Sequence, residues 1–355
     1  MEYKRLGEYI EPVDERNSKL EIKLSQGICN EKYFQDPRQV AENSAADKIV
    51  RRGYFAYNRA TTRNGEKISI AYREGPDCTV SSAYQVFRIK DEEKLNPKYL
   101  LMWYKRPDFD KYARFRSHGS AHEFFEYEEM CDVRIPLPSI ERQREIVLEY
   151  ETLTNRIRLN NQMIQHLEAT AQALYRKTFV DNIDKENLPK GWRMGTLGEI
   201  AYINSGKTCI DKSEVKDETF QYPVAGASGI IGFSSTYNYD EKLMTTGRVG
   251  TLGVVNRYNQ KMYMADNVLI IRSNHYEYCY QILKSLDYSE ITKGGVQSLI
   301  TQTDLKDYSI PLPSQETLSA FEEQSGMLFS SVETRKRENI KLTELQSLLL
   351  AKMGQ

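Results

Sequence analysis

Positions 146, 150, 153, 157, 160, 164, 167, 171 and 174 alternate steps of four and three and carry Ile, Tyr, Leu, Ile, Asn, Ile, Leu, Ala and Leu. That spacing predicts one long helix with a coiled-coil seam formed by Ile146, Leu153, Ile157, Ile164, Leu167 and Leu174, interrupted once by Asn160. Pro136 and Pro138 cannot donate backbone hydrogen bonds and so end what precedes, and Ser139 followed by Arg142-Gln143 is a helix start. Helical throughout, residues 142–179 would make a rod about 57 Å long. A second stripe begins with Phe321, Leu328 and Val332, meets Arg335 and Asn339 where apolar residues should follow, and resumes at Leu342, Leu345 and Leu349. It reads as one helix with a stutter. Two such helices can satisfy each other as an antiparallel pair with a globular domain at each end. The alternative is ordinary core helices or a homodimeric coiled coil.

Period-two segments lie between the helices. Residues 54–57, 68–72 and 84–89 read as strands, and Pro97 to about Tyr112 as a helix. The later part matches with a strand at 268–271 and a helix from Glu277 to Leu286. The two parts are copies of one plan. Ile135-Pro136-Leu137-Pro138-Ser139 returns unchanged as Ile310-Pro311-Leu312-Pro313-Ser314, an offset of 175. At that offset Gly119 meets Gly294, Phe124 meets Leu299, Met130 meets Leu305 and Asp132 meets Asp307. Leu6-Gly7-Glu8 recurs as Leu197-Gly198-Glu199 at an offset of 191, so the second copy is shorter. Between these ends the copies diverge, with Tyr57 to Arg63 only loosely matched by Thr246 to Thr251. The expected architecture is α+β: two mixed α/β domains separated by two long helices in an antiparallel coiled coil, a pseudo-twofold internal repeat. Its expected divisions are domain 1 at 1–138, spacer helix 1 at 139–184, linker and domain 2 at 185–313, and spacer helix 2 at 314–355, with residues 185–195 as the linker.

A chain of 355 residues with 40% hydrophobic content can bury two cores. The net charge of −1 places any nucleic-acid site in local clusters of its 49 Lys and Arg. Five cysteines, an odd number with no Cys-x-x-Cys pair, suit reduced thiols in a cytoplasmic protein. No apolar run approaches the ~18 residues that span a bilayer, and the N-terminus lacks an apolar signal region, so no membrane role is expected.

Candidate chemistry is polar and basic. Arg59, Arg63, Asn64 and Lys67 lie between predicted strands, where Arg can grip guanine and Asn adenine with paired hydrogen bonds. The run from Lys105 to His118 interleaves cations and aromatics, and its end, Arg114, Arg116 and Ser117, enters the repeated Gly119 loop. In the second copy the comparable residues are Lys207, Thr208, Ser228, Arg248, Thr251, Lys293 and Gln297. Singly, each of these is also an ordinary exposed polar residue. Catalytic patterns are incomplete. Asn96-Pro97-Lys98-Tyr99 lacks the second proline of a methyltransferase motif, and Gly206-Lys207-Thr208 lacks the first glycine of a phosphate loop, since Ala201 stands there. Asp77 with Glu92-Glu93-Lys94 fits a metal-nuclease pattern only formally. His118 and His122 have metal-ligand spacing, yet their repeat counterparts Lys293 and Gln297 are not ligands. No catalytic residue and no metal site are expected.

A globular unit, an Ile-Pro-Leu-Pro hinge and a long helix occur twice, with Leu188-Pro189-Lys190-Gly191-Trp192-Arg193 leading into Leu197-Gly198-Glu199-Ile200. This order resembles the DNA-specificity subunit of Type I restriction-modification systems over essentially the whole chain. The resemblance implies that each globular unit is a target-recognition domain for one half of a bipartite, asymmetric double-stranded DNA site, and that the helices set the unread spacer. It implies a non-catalytic recognition subunit. Its partners would be two adenine-methyltransferase subunits and restriction/translocase subunits, with S-adenosylmethionine, ATP and Mg bound in those partners and no cofactor in this chain. The chain departs from the family pattern at Arg335 and Asn339. Outside that resemblance, a stand-alone metal-dependent nuclease and a coiled-coil scaffold are the alternatives.

Overall fold

The computed structural model describes every residue except 1–2, 38–43, 62–66, 119–122, 182, 185, 250–251, 292–298 and 355. The chain forms two compact units, Met1–Asn160 with Arg337–Gln355, and Asn161–Lys336. Among the described residues no helix is long and apolar enough to cross a membrane.

Unit 1 carries a four-stranded antiparallel sheet in the order Ile10–Val13, Tyr84–Ile89, Phe55–Asn58, Ile70–Tyr72. Alternation explains how it is covered on both faces. Phe55, Tyr57, Ile70, Phe87 and Ile89 enter one core with the helix Pro97–Tyr104, while Ala56, Ala71 and Val86 enter another with Val50, Cys78 and Val80. The single helix expected from Pro97 to Tyr112 is two, Pro97–Tyr104 and Pro107–Phe115. Pro107 has no amide hydrogen to continue the first, and it opens the second at its first turn. Asn96 caps the first helix, its side chain accepting from the Lys98 and Tyr99 amides at 2.9 and 3.2 Å, so Asn96-Pro97 is a helix start.

Unit 2 carries a six-stranded sheet in the order Ala201–Ser205, Val268–Ser273, Tyr239–Gly247, Val255–Met264, Tyr222–Gly226, Gly229–Ser234, in which only the contact of Tyr222–Gly226 with Val255–Met264 is parallel. Ile203, Met244, Leu269 and Ile271 face the core shared with the long helices, and Leu243, Met262, Val268 and Ile270 face a smaller one. A buried ion pair ties this sheet to the helix Tyr276–Ser285: Arg257 donates to both Glu277 oxygens at 2.6 and 2.8 Å, and its guanidinium lies 3.8 Å from the Phe329 ring centre. Burial pulls the Arg257 pKa down and the Glu277 carboxylate more than restores it, so the cation is kept.

Each unit closes on itself through the repeated motifs. Tyr3–Arg5 pairs with Arg134–Pro136, and Arg193–Thr196 pairs with Ser309–Leu312. The expected linker at 185–195 therefore ends in a strand. The Leu6 amide donates to the Val133 carbonyl at 2.8 Å and the Leu197 amide to the Tyr308 carbonyl at 2.9 Å. Pro136, expected with Pro138 to end what precedes, lies in the first ribbon and its repeat counterpart Pro311 in the second, and Tyr99 and Tyr278 donate their hydroxyls to the two proline carbonyls. Gly7 and Gly198 sit where any Cβ would press on Cys131 at 2.8 Å and on Lys306 at 3.1 Å, residues 175 apart, so close packing fixes the glycine in each Leu-Gly-Glu.

The long helices run Ile140–Phe179 and Gln315–Lys352 and pair antiparallel within each unit. In unit 1, Ile146 and Val147 share a core with Leu350 and Met353, and Gln346 donates to the Thr154 hydroxyl at 2.7 Å. In unit 2, Tyr175 and Phe179 meet the Phe321 ring edge-to-face, and Lys336 lies 3.7 Å from Glu168. All nine expected seam positions from 146 to 174 are buried or half-buried. The stutter expected in the second helix is absent. Adding 175 to the first seam gives 321, 325, 328, 332, 335, 339, 342, 346 and 349, and each of these is buried or half-buried. Leu345, expected in the seam, is 50% exposed, and Gln346 takes its place. The polar residues that suggested a break form a matched layer. Asn160 donates to Asn339 Oδ1 at 2.9 Å and to Glu338 Oε2 at 3.0 Å, and Arg156 donates to Glu338 at 2.7 Å. A buried polar pair fixes register at some expense of stability. Asn160→Leu and Asn339→Leu singly are expected to cost on the order of 1 kcal/mol by stranding the partner, and the double variant to recover that loss. Urea unfolding of the four proteins measures the coupling; strictly additive singles would contradict it.

Candidate nucleic-acid interface

In unit 1, Arg59 follows directly on the strand Phe55–Asn58, where the chain leaves the sheet. Its carbonyl accepts from the Phe125 amide at 2.9 Å, Ala60 bridges to Phe124, and Thr61 donates its amide and hydroxyl to the Glu123 carbonyl at 3.0 and 3.2 Å. The Arg59 side chain donates to the Ala83 carbonyl at 3.1 Å and to Glu126 at 3.2 Å, with the Phe124 ring 5.8 Å away. Arg114 pairs with Glu123, and Arg116 pairs with Glu129 and lies 3.7 Å from Asp132. The structure thus gathers Arg59, Arg114 and Arg116 along one acidic segment, 123–129. These pairs are partly exposed and contribute little to stability. Lys67 is exposed. Ser117 is buried, its hydroxyl donating back to the Ala113 carbonyl in the last turn of the helix Pro107–Phe115 at 2.6 Å, which turns it away from solvent. Arg63, Asn64, Gly119 and His122 lie outside the described residues.

In unit 2 three of the candidates, Lys207, Thr208 and Arg248, meet at the turn 264–267. The Lys207 amide donates to the Met264 carbonyl at 3.0 Å, the Thr208 hydroxyl to Asp266 at 2.8 Å, and the Arg248 amide to the Asn267 carbonyl at 3.1 Å. Lys207 keeps an exposed side chain. Gly206 lies so close to the Ala265 carbonyl that no Cβ fits, which explains a glycine beside this lysine. Ser228 is exposed between Tyr222–Gly226 and Gly229–Ser234, in a hairpin whose Ala225 carbonyl accepts from the Ala265 amide at 3.1 Å. Thr251, Lys293, Gly294 and Gln297 lie outside the described residues.

One equivalence is sharper than the sequence suggests. The Ile300 amide donates to the Arg248 carbonyl at 3.0 Å and Val249 bridges to Leu299, as Phe125 does with Arg59 and Phe124 with Ala60. Phe124-Phe125 and Leu299-Ile300 are themselves 175 apart, so Arg59 and Arg248 occupy the same place in the plan. The only advance signal was the loose match of 57–63 with 246–251.

Several residues of the incomplete catalytic patterns are held in structural contacts. Asp77 accepts from Arg51 and from the Arg52 amide, both at 2.9 Å, while Glu93 pairs with Arg144 and Lys94 with Asp91. The Gly206 and Lys207 amides, which a phosphate loop would point at its ligand, are bound to the Val268 and Met264 carbonyls. His118 lies 3.7 Å from Glu129. Among the described residues no three His, Cys, Asp or Glu are grouped to hold a metal ion.

Two sheet-bearing units, each closed by the same kind of ribbon and each packed on stretches of both long helices, define a duplicated α+β architecture. The sequence profile of the Type I restriction modification DNA specificity domain matches residues 45–169 and again 189–344. The chain belongs to that family. It is 23% identical over 296 residues to the Type I restriction enzyme MjaIX specificity subunit of Methanocaldococcus jannaschii, covering 72% of this chain and 68% of the relative. It is 24% identical over 274 residues to the putative type I specificity subunit S.MpnORF89P of Mycoplasma pneumoniae, covering 72% and 78%. In fold it is similar to the crystal structure of the Type I restriction-modification S subunit of M. genitalium, with a TM-score of 0.63 at 15% identity, covering 99% of this chain and 95% of that one.

Proposed function

We propose that this chain is the cytoplasmic, non-catalytic reader of a bipartite, asymmetric DNA site, with residues 1–138 reading one half and 185–313 the other, and with spacer helices 139–184 and 314–355 fixing the gap. The observation that carries this reading is the contrast within the repeat: the closing ribbons share one pairing register, Tyr3 opposite Pro136 in one copy and Met194 opposite Pro311 in the other, while the surfaces beside them differ. Arg59 with Arg114 and Arg116 on one side, and Arg248 with Lys207, Thr208 and Ser228 on the other, offer two unlike sets of donors. Arg at a shared position suits a phosphate or guanine contact, and the unshared residues supply the difference in target. Arg63, Asn64, Lys67, Thr251, Lys293 and Gln297 belong to the same proposal.

Chemistry would come from partners: two adenine-methyltransferase subunits using S-adenosylmethionine, and restriction/translocase subunits using ATP and Mg. A docking strip for a methyltransferase lies on the unit 1 helix pair, where Leu148, Leu345 and Leu348 are 66%, 50% and 60% exposed beside half-buried Leu153 and Leu349. At an offset of 175 the first three correspond to Glu323, Thr170 and Ala173.

Two outcomes are expected. Exchanging residues 197–309 for those of a relative changes one half of the modified motif and leaves the other; a change in both halves would contradict separate readers. Leu148→Asp with Leu348→Asp lowers the methyltransferase that co-purifies with the chain from two copies toward one, since the strip has no equivalent in the second copy, without lowering the melting temperature. Undiminished co-purification would move the docking site elsewhere.

A further inference from the structure

One buried ion pair in unit 1 has no counterpart among the features that the two copies share. Lys32 stands in the turn of the small hairpin Gly27–Ile28/Phe34–Gln35 in the left-handed conformation, φ +66°, with its amide donating to the Cys29 carbonyl at 3.1 Å. Its side chain runs inward and is 4% exposed, and its partner Asp110, on the helix Pro107–Phe115, is 12% exposed. Lys32 Nζ donates to Asp110 Oδ1 at 2.6 Å and to the Ile68 carbonyl at 2.9 Å, and the same Asp110 oxygen accepts the Ile68 amide at 3.1 Å. Both backbone polar groups of Ile68 are thus held by one ion pair. The next residue is held as well, since the Ser69 hydroxyl donates to Asn30 at 2.8 Å.

Ile68 ends the connection that begins at Arg59. Its other stem is pinned where Thr61 donates twice to the Glu123 carbonyl. Arg59 lies two residues before one anchor and Lys67 one residue before the other, so the anchors set where both cations leave the fold. Packing alone does not call for charge here. Burying an ion pair carries a desolvation penalty that an apolar pair of similar volume avoids, and the pair's distinctive product is directional: one donor and one acceptor placed for a single residue's backbone. Burial lowers the Lys32 pKa while Asp110 opposes that shift.

We propose that Lys32 and Asp110 are positioning residues for base readout, holding the Ile68 end of the connection after Arg59, and Lys67 beside it, so that the first half of the DNA site is read in one geometry. This rests on the proposed role of that connection in DNA reading. Neither residue touches DNA; both act through Ile68.

The test uses the full chain co-expressed with its methyltransferase, with modified adenines mapped across the genome. The half of the wild-type motif that survives exchange of residues 197–309 is the half read by unit 1. Lys32→Met with Asp110→Leu removes both charges and leaves neither unpaired. The expected result is relaxation confined to that half, with discrimination at one or more of its base pairs reduced roughly tenfold, the scale of one base contact misplaced, and the other half unchanged. An unchanged motif from the folded variant overturns the proposal, as does equal relaxation of both halves. Should the double variant fail to fold, Asp110→Asn decides by the same readout: it keeps an acceptor for the Ile68 amide and removes the charge opposite Lys32. Relaxation of the one half supports the proposal and an unaltered half overturns it. A wild-type chain that gives no two-part motif overturns the reading on which the proposal rests, whereas a two-part motif indifferent to both variants overturns the positioning role alone.

Discussion

The short antiparallel ribbon between the beginning and the end of each copy is the constraint on which the rest of the structure depends. Tyr3–Arg5 against Arg134–Pro136, and Arg193–Thr196 against Ser309–Leu312, oblige each globular domain to return to its own start before a long helix begins. Everything between the two strands of a ribbon is then a closed excursion. Its length and contents can change without moving the helix that follows, which is how a second copy can be shorter and still deliver its helix in the same phase. The glycines at 7 and 198, the buried leucines at 6 and 197 and the tyrosine hydroxyls on the proline carbonyls all serve this closure.

The second consequence is register. Because the ribbon ends at a fixed distance from the helix, one offset of 175 runs from Phe124/Leu299 through the whole seam to Leu174/Leu349. The polar residues fall where the helices need direction rather than adhesion: Asn160 against Asn339, with Glu338 and Arg156 closing the layer. Leucine at these positions would bind more tightly and specify less.

The frame was legible in the sequence because packing fixes residue type at each of its points, and an identical pentapeptide with a glycine motif survives in both copies. The first helix was legible as an apolar stripe. The second is only partly legible beyond Val332, because its seam there includes Arg335, Asn339 and Gln346 among its leucines, which an apolar template rejects; the repeat offset recovers all three. The helix expected from Pro97 to Tyr112 overran because local propensity outweighed Pro107. Of the interface, Arg59 and Arg248 could be paired loosely, and the structure places them at one topological position. The arginine partners Glu123, Glu126 and Glu129 went unnoticed, since charge pairing across a loop leaves no periodic trace. Lys32 and Asp110, 78 residues apart, leave none either.

The central claim is that two unlike readers, one in each copy of the plan, specify two separated half-sites. Its most direct test is to co-express the chain with its methyltransferase and map every modified adenine in the genome. A two-part, asymmetric motif with a gap of constant length is the expected result. Modification at a continuous palindrome, or at a two-part motif whose gap length varies freely, would contradict the account.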